Sequence, residues 1–413
     1  MNKFFKPSLL VACSLLFGCQ STPQNSPKRT QQSSMSEVSG LATQISKKYI
    51  IADLHVDVPY RLEEQYDDVS MATVGGDFDY PRAKAGGLDA PFMSIYVPAN
   101  IEADGGDSTA VANKLIDSVE TMARKSPEKF ALAYSTEQLH DNFSKGLISL
   151  PMGMENGSPI AGDLANLQHF YDRGIRYITL SHSLSNHISD SSYDEARPAK
   201  GLTKFGKKLV TAMNNIGVMV DVSHISDLAF YDVMANSQTP VIASHSSARK
   251  FTPEFERNMD DNMIKLLAAN GGVIFINFGS TFVSQTSMQS YAAYKAALDE
   301  FLQTNNLKED SDEAKSFTES YRKANPFPFA DLNDVLDHFD HVVKLAGIDH
   351  VGIGSDYDGV GDSLPTGLKD VSTYPNLIDG LLNRGYSEAD IAKILSGNLM
   401  RVWQQIETYA AGN

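Results

Sequence analysis

Histidines and carboxylates recur in this chain at one kind of place, the polar end of a short apolar run. The first run closes with Asp53-Leu54-His55-Val56-Asp57. Alternate residues of an extended chain share one side, so His55 and Asp57 can reach the same ion. Later runs lead into Met154-Glu155-Asn156-Gly157, Ser181-His182-Ser183, Asp221-Val222-Ser223-His224, Ser244-His245-Ser246-Ser247 and Gly354-Ser355-Asp356-Tyr357-Asp358-Gly359. The chain has 10 histidines, and His55, His182, His224 and His245 all fall in these segments. A lone histidine is accounted for by a hydrogen-bonded place in a core. Four on one rim, with carboxylates among them, point to a metal centre. The 2 cysteines, Cys13 and Cys19, precede every run, so no thiolate is available to such a site. Imidazole with carboxylate and no sulfur suits zinc in a hydrolytic site. Two zinc ions about 3.5–4 Å apart need a carboxylate that reaches both. Glu155, long and followed closely by Gly157, is the candidate bridge.

The elements that must hold these groups are legible as apolar runs. They are Tyr49–Ala52, Phe92–Val97, Leu147–Leu150, Tyr177–Leu180, Val218–Val220, Val241–Ala243, Val273–Ile276 and His350–Ile353. Continuous apolar strands alternating with helical sequence imply parallel strands covered on both faces. Eight of them imply an α/β fold of the (β/α)8 TIM barrel type, whose catalytic groups sit at the C-terminal ends of strands. Leu202 to Ile216 has helical spacing and stops before Gly217. Ser387-Glu388-Ala389-Asp390 opens the last helix with a capping pattern. The charged stretch 284–326 is expected to be a helical insertion between strands seven and eight. The barrel domain is expected to span 47–413.

Ahead of the barrel, Lys3 and Lys6 precede the apolar run Leu9–Phe17, which is too short to span a bilayer comfortably. This predicts a signal peptide over 1–18. Leu16-Phe17-Gly18-Cys19 looks like a bacterial lipobox, which makes Cys19 the expected site of lipidation. Ser, Gln, Pro and Thr dominate the residues after it, so 19–46 is expected to be the lipidated cysteine and a flexible tether. Gln20 after the cysteine favours the outer membrane, with the protein on the periplasmic side. The formal net charge is -16, which repels phosphate backbones and argues against nucleic acid as a partner.

Taken in order and spacing, these motifs resemble the membrane (renal) dipeptidase family, within the amidohydrolase-like metal barrels. Gly174-Ile175-Arg176-Tyr177-Ile178-Thr179-Leu180-Ser181-His182 and Asn398-Leu399-Met400-Arg401-Val402 belong to the same likeness, which covers nearly all of 48–407. The resemblance implies a zinc-dependent dipeptidase with two Zn2+. His55 and Asp57 would hold one zinc, His224 and His245 the second, and Glu155 would bridge them. A metal-bridged hydroxide would attack the peptide carbonyl. His182 would face the substrate and stabilise the oxyanion, and Asp356 would carry protons. Arg257 would grip the terminal carboxylate of a small peptide substrate. Tolerance of a D-residue at the C-terminal side and a homodimer are further implications. The chain departs from the family at Arg249–Glu256, a longer segment that ends in an acid immediately before Arg257. The alternative is a binuclear amidohydrolase acting on another amide or a lactone, such as an N-acyl amino acid, since the same water chemistry serves all of these.

Overall fold

Short β-rich runs followed by helix-forming sequence bury both faces of a sheet most economically when the sheet curls on itself. The computed structural model describes residues 38–412. Its strands are β1 (Ile51–Val56), β2 (Leu88–Tyr96), β3 (Phe130–Leu132), β4 (Ile148–Leu150), β5 (Met152–Glu155), β6 (Ile175–Thr179), β7 (Met219–Asp221), β8 (Ile242–Ser246), β9 (Val273–Ile276) and β10 (Val351–Ile353). Eight of them form one parallel sheet in the order β1-β2-β5-β6-β7-β8-β9-β10. The two edges meet: Asp57 N–H donates to the Tyr357 carbonyl at 2.8 Å, and Asp356 N–H donates to the His55 carbonyl at 3.1 Å. The expected (β/α)8 barrel is therefore the fold, and its seam lies between the two Asp-rich strand ends.

One strand differs from the sequence reading. Leu147–Leu150, expected as the third barrel strand, is β4, and it pairs with β3 in a separate two-stranded sheet. Pro151 is the reason. It has no N–H to donate to a ladder, while its carbonyl accepts from Met93 N–H at 2.8 Å. The chain changes sheets at the proline, and Met152–Glu155 becomes the barrel strand. The helix over Lys204–Ile216 is capped by Thr203 and ends at Gly217, whose φ of 92 suits glycine. Two helices, Gln285–Asn305 and Asp312–Ala324, form the insertion between β9 and β10. Ser387 and Asp390 make the expected capping box.

The folded body begins earlier than the sequence reading has it. Gly40–Lys48 is a helix capped by Ser39, with Ala42 and Ile45 buried in the main core. Those two apolar residues pack into the core, so the folded body begins before residue 47. Cys19, the expected signal peptide and the expected tether as far as residue 37 lie outside the described residues. The main core joins strand residues such as Ile178 and Val220 to helix residues such as Leu209 and Phe230. A smaller cluster gathers Phe92, Tyr177 and Phe275 around Trp403 of the last helix.

His338, in the helix Leu332–Ala346, is fully buried and braces the segment leading to Arg257. Ala248 N–H donates to its Nδ1 at 3.0 Å, and its Nε2 lies 3.1 Å from the Val283 carbonyl, so the ring is held neutral. Burial pushes its pKa down to about 4. The unfolded chain takes up this proton near the ordinary histidine value, whereas the folded chain resists it. The stabilising contribution is therefore complete above pH 6.5 and lost as pH falls to about 4, a change of about 3 kcal/mol. Urea unfolding of the wild type should weaken by that amount relative to His338→Gln between pH 7 and pH 4. Parallel curves for the two proteins would contradict it.

Candidate metal centre

Strand register sets the site. Glu155, the last residue of β5, lies opposite Tyr96 of β2 and Thr179 of β6, and Thr179 in turn opposes Asp221 of β7. One row of the barrel thus ends in polar side chains. The two oxygens of Glu155 face different neighbours. Oε2 is 3.3 Å from His55 Nε2, which is 3.4 Å from Asp57 Oδ2. Oε1 is 3.0 Å from His224 Nε2, 3.2 Å from His245 Nε2 and 3.5 Å from His182 Nε2. His224 Nε2 and His245 Nε2 are themselves 2.8 Å apart. All five sequence-predicted metal ligands therefore converge, with one carboxylate oxygen turned to each half.

The donors fit a cation better than they fit one another. His55 Nε2, Asp57 Oδ1, His182 Nδ1 and His224 Nδ1 are buried without a hydrogen-bond partner, an arrangement that costs stability unless something else satisfies the atoms. Among the described residues, three overlapping groups have ligand atoms within 4.8 Å of one another: His55–Glu155–His245, Glu155–His182–His224 and His55–Asp57–Asp356. Burial opposes ionisation of Glu155, but the surrounding imidazoles of His55, His182, His224 and His245 outweigh it and hold the carboxyl well below the usual carboxylate range. Burial lowers His224 and His245 well below the ordinary histidine value, which keeps each ring neutral and leaves it one bare nitrogen able to ligate.

Three residues in a left-handed backbone conformation lie at the same place. Asn156, His224 and Asp356 have φ of 75, 69 and 65, a left-handed conformation that costs on the order of 1–3 kcal/mol for each non-glycine residue. Hydrogen bonds hold two of them: Ser192 N–H donates to the His224 carbonyl, and Asp356 N–H to that of His55. Gly359 allows a close approach, since a Cβ there would collide with the carboxyls of Asp57 and Asp356.

The remaining sequence-predicted residues surround this pair of half-sites. His182 is the most exposed of the four imidazoles, its side chain 19% accessible against 0%, 6% and 1% for His55, His224 and His245. Asp356 accepts from Asn277 Nδ2 at 2.7 Å. Burial, with the carboxylates of Asp57 and Glu155 adding to it against His55, pushes Asp356 up to about 7. Arg257 is buried, and its Nη1 and Nη2 donate to Ser246 Oγ at 2.7 Å and the His245 carbonyl at 2.8 Å. The departure before it is harmless, because Glu256 turns away to pair with Arg197 at 2.5 Å and to accept from Asp227 N–H.

Several participants are missing from the sequence reading. Tyr177 Oη lies 2.7 Å from His55 Nδ1, yet in sequence it reads as core. Asn277 sits just past β9, where an apolar run meets Phe278-Gly279, and that polar residue is the available signal. Tyr193 stands with its ring 6.0 Å from His224 and 6.1 Å from Phe255, on loops that carry no sequence pattern.

Comparison with known proteins gives a consistent picture. A family model described as membrane dipeptidase, peptidase family M19, matches residues 41–413. Dipeptidase 3 of Mus musculus is 33% identical over 375 residues, 89% of this chain and 66% of the mouse protein, so the chain spans just under two thirds of that relative. An uncharacterized dipeptidase of Schizosaccharomyces pombe is 31% identical over 86% of this chain and 81% of its own length. Among solved structures, the probable dipeptidase PvdM of Pseudomonas aeruginosa aligns with a TM-score of 0.77 at 27% identity, covering 90% of this chain and 98% of that one. A Rhodobacter sphaeroides metallo peptidase, solved with a phosphinate mimic of L-Ala-D-Ala, shares the fold with a TM-score of 0.70 at 23% identity, covering 87% and 99%.

Proposed function

Because the chain belongs to the membrane dipeptidase family, peptidase family M19, we propose that it is a zinc-dependent metallo-dipeptidase, hydrolysing dipeptides that include those with a D-residue at the C-terminal side. Arg257 carries the substrate half of this reading. It is 3% exposed, and no carboxylate pairs with it among the described residues; its Nε is buried with no partner at all. A buried guanidinium without a counter-ion is costly and calls for an anion. Its planar fork suits a carboxylate. An anion held beside the metal centre as a peptide's own C-terminus requires that the cut bond be the last one, and a dipeptide satisfies this best.

The ligand set supports two zinc ions, one at His55 and Asp57 and one at His224 and His245, with Glu155 offering an oxygen to each. Bound there, zinc would supply Lewis acidity that makes hydroxide available near neutral pH and polarises the scissile carbonyl. The chain's own residues would do the rest. Arg257 orients the substrate. His182, on the open side of the site, stabilises charge developing on the carbonyl oxygen. Asp356, steadied by Asn277, takes a proton from the attacking water and passes it to the leaving amine. The proposal extends to the cell envelope: a signal over 1–18, a lipid on Cys19, the periplasmic side of a bacterial outer membrane, and a homodimer, supported by the N-terminal sequence and the family likeness.

The test is an assay of chelated protein with and without added zinc on Gly-L-Ala, L-Ala-D-Ala, an N-acyl amino acid and a tripeptide. Zinc should restore cleavage of both dipeptides and leave the other two poor substrates. Restored cleavage of the N-acyl amino acid alone would replace this reading with the general amidohydrolase one.

A further inference from the structure

Two buried aspartates stand at matching places in the barrel and are not ligands. Asp53 Oδ1 accepts from His55 N–H at 3.2 Å and Ser355 N–H at 2.9 Å, tying β1 to the end of β10. Asp221 Oδ1 accepts from Ser223 N–H at 3.0 Å and Ser244 N–H at 2.8 Å, tying β7 to β8. Both replace ladder hydrogen bonds where strands splay to open the site. They differ in what the second oxygen does. Asp53 Oδ2 accepts from the Tyr374 hydroxyl, away from any ligating imidazole. Asp221 Oδ2 accepts from Thr179 Oγ1 and, at 2.6 Å, from Ser244 Oγ, which is in turn 2.8 Å from His245 Nδ1. Asp221, Ser244 and His245 are each fully buried.

Donor counting fixes the direction of this chain. A carboxylate only accepts, so the single hydroxyl proton of Ser244 goes to Asp221. Ser244 Oγ is left as an acceptor toward His245, and Nδ1 must carry the ring proton. Nε2 is then the bare nitrogen, and it is the one that faces Glu155 Oε1 and His224 Nε2. We propose that Asp221 and Ser244 are positioning residues that lock His245 in its Nδ1–H tautomer through a carboxylate–hydroxyl–imidazole relay, and so set zinc affinity at the half-site that Glu155 Oε1 faces. The inference rests on the metal-site reading above and deepens it. Partners that orient a ligating imidazole change metal affinity by roughly 10–100-fold.

Two variants separate the relay from simple packing. Ser244→Ala deletes the hydroxyl but keeps the backbone N–H that Asp221 uses to tie the strands. Asp221→Asn does more. The amide oxygen must stay on the two backbone N–H groups, so its NH2 faces Ser244 Oγ. The hydroxyl then turns its proton toward Nδ1, and the ring proton moves to Nε2, the ligating atom. Zinc would be titrated into the chelated full chain against a competing chelator, with nitrogen NMR of 15N-histidine protein reporting the protonated ring atom. The expected results are a protonated Nδ1 at His245 in the wild type, a zinc affinity about 10–100-fold weaker in Ser244→Ala, a larger loss in Asp221→Asn, and near wild-type binding in Ser244→Thr. A protonated Nε2 in the wild type, or Ser244→Ala binding both zinc ions as tightly as the wild type, overturns the relay. Should Asp221→Asn fail to fold, the alanine and threonine variants decide alone. A wild type that binds zinc but cleaves no dipeptide sinks the substrate reading and leaves this test intact; a wild type that binds no zinc sinks both.

Discussion

Glu155→Gln is expected to strip the centre of its metal and to lower kcat/KM on any dipeptide by more than the roughly 10²–10³-fold typical of losing one oxyanion donor. The substitution keeps shape and volume and removes only charge and acceptor capacity. Four imidazole nitrogens lie between 3.0 and 3.5 Å from the carboxylate oxygens. An amide there can offer one oxygen, and its NH2 would hydrogen-bond to an imidazole nitrogen that must otherwise be free for zinc. On the proposed ligand set, both half-sites would lose their common ligand together. The check is metal content after dialysis against zinc, measured beside kcat/KM and beside the melting temperature of the chelated proteins. Two zinc ions per wild-type chain and at most one in the variant, with similar melting temperatures, is the expected outcome. A variant that retains both metals while losing activity would make Glu155 an acid–base group and not a bridge.

How legible such a centre is in the sequence depends on what each residue does. His55, His182, His224 and His245 stand out because imidazole is uncommon in apolar strands, and each one falls at the polar end of such a run. Glu155 is legible although its strand is misplaced, because its identity and the small residues after it mark it regardless of which side of Pro151 the barrel strand lies. The misplacement has a plain cause. β4 and β5 are both apolar and abut, and only pairing decides which one joins the barrel. Tyr177 is invisible for the opposite reason: a tyrosine in an apolar run reads as packing, and nothing local says that its hydroxyl reaches an imidazole 122 residues earlier. Asp53 and Asp221 are plain in their motifs but carry no role there, since strand alternation cannot tell a carboxylate that ties two strands from one that binds an ion. The helix Gly40–Lys48 is lost in polar composition because Ala42 and Ile45 are its main buried apolar residues. Residue type carries the ligands; long-range pairing carries their supports.

Arg257→Ala should split substrates by a single group. On free dipeptides kcat/KM is expected to fall roughly 10²–10³-fold, about 3–4 kcal/mol, inside the roughly 2–5 kcal/mol typical of truncating one partner of a buried, hydrogen-bonded charge pair. On dipeptides whose terminus is an amide, the wild type should already be slow, and the variant should match it. Ser246 Oγ and the His245 carbonyl occupy one N–H on each terminal nitrogen, Phe282 lies with its ring centre 5.3 Å from the guanidinium carbon, and no acid neutralises the charge among the described residues. The free enzyme therefore keeps a rigid, half-satisfied fork. Arg257→Lys should recover little, because a single ammonium cannot hold the two protein acceptors and grip a carboxylate edge-on. If the carboxylate is held equally before and during reaction, the loss falls on KM; a loss in kcat would mean that the arginine also sets the distance between carbonyl and metal. Equal losses on free and amidated dipeptides would refute carboxylate recognition and leave Arg257 as a brace for the His245 backbone. That role is distinguishable, since a brace predicts weakened zinc binding and a carboxylate reader predicts none.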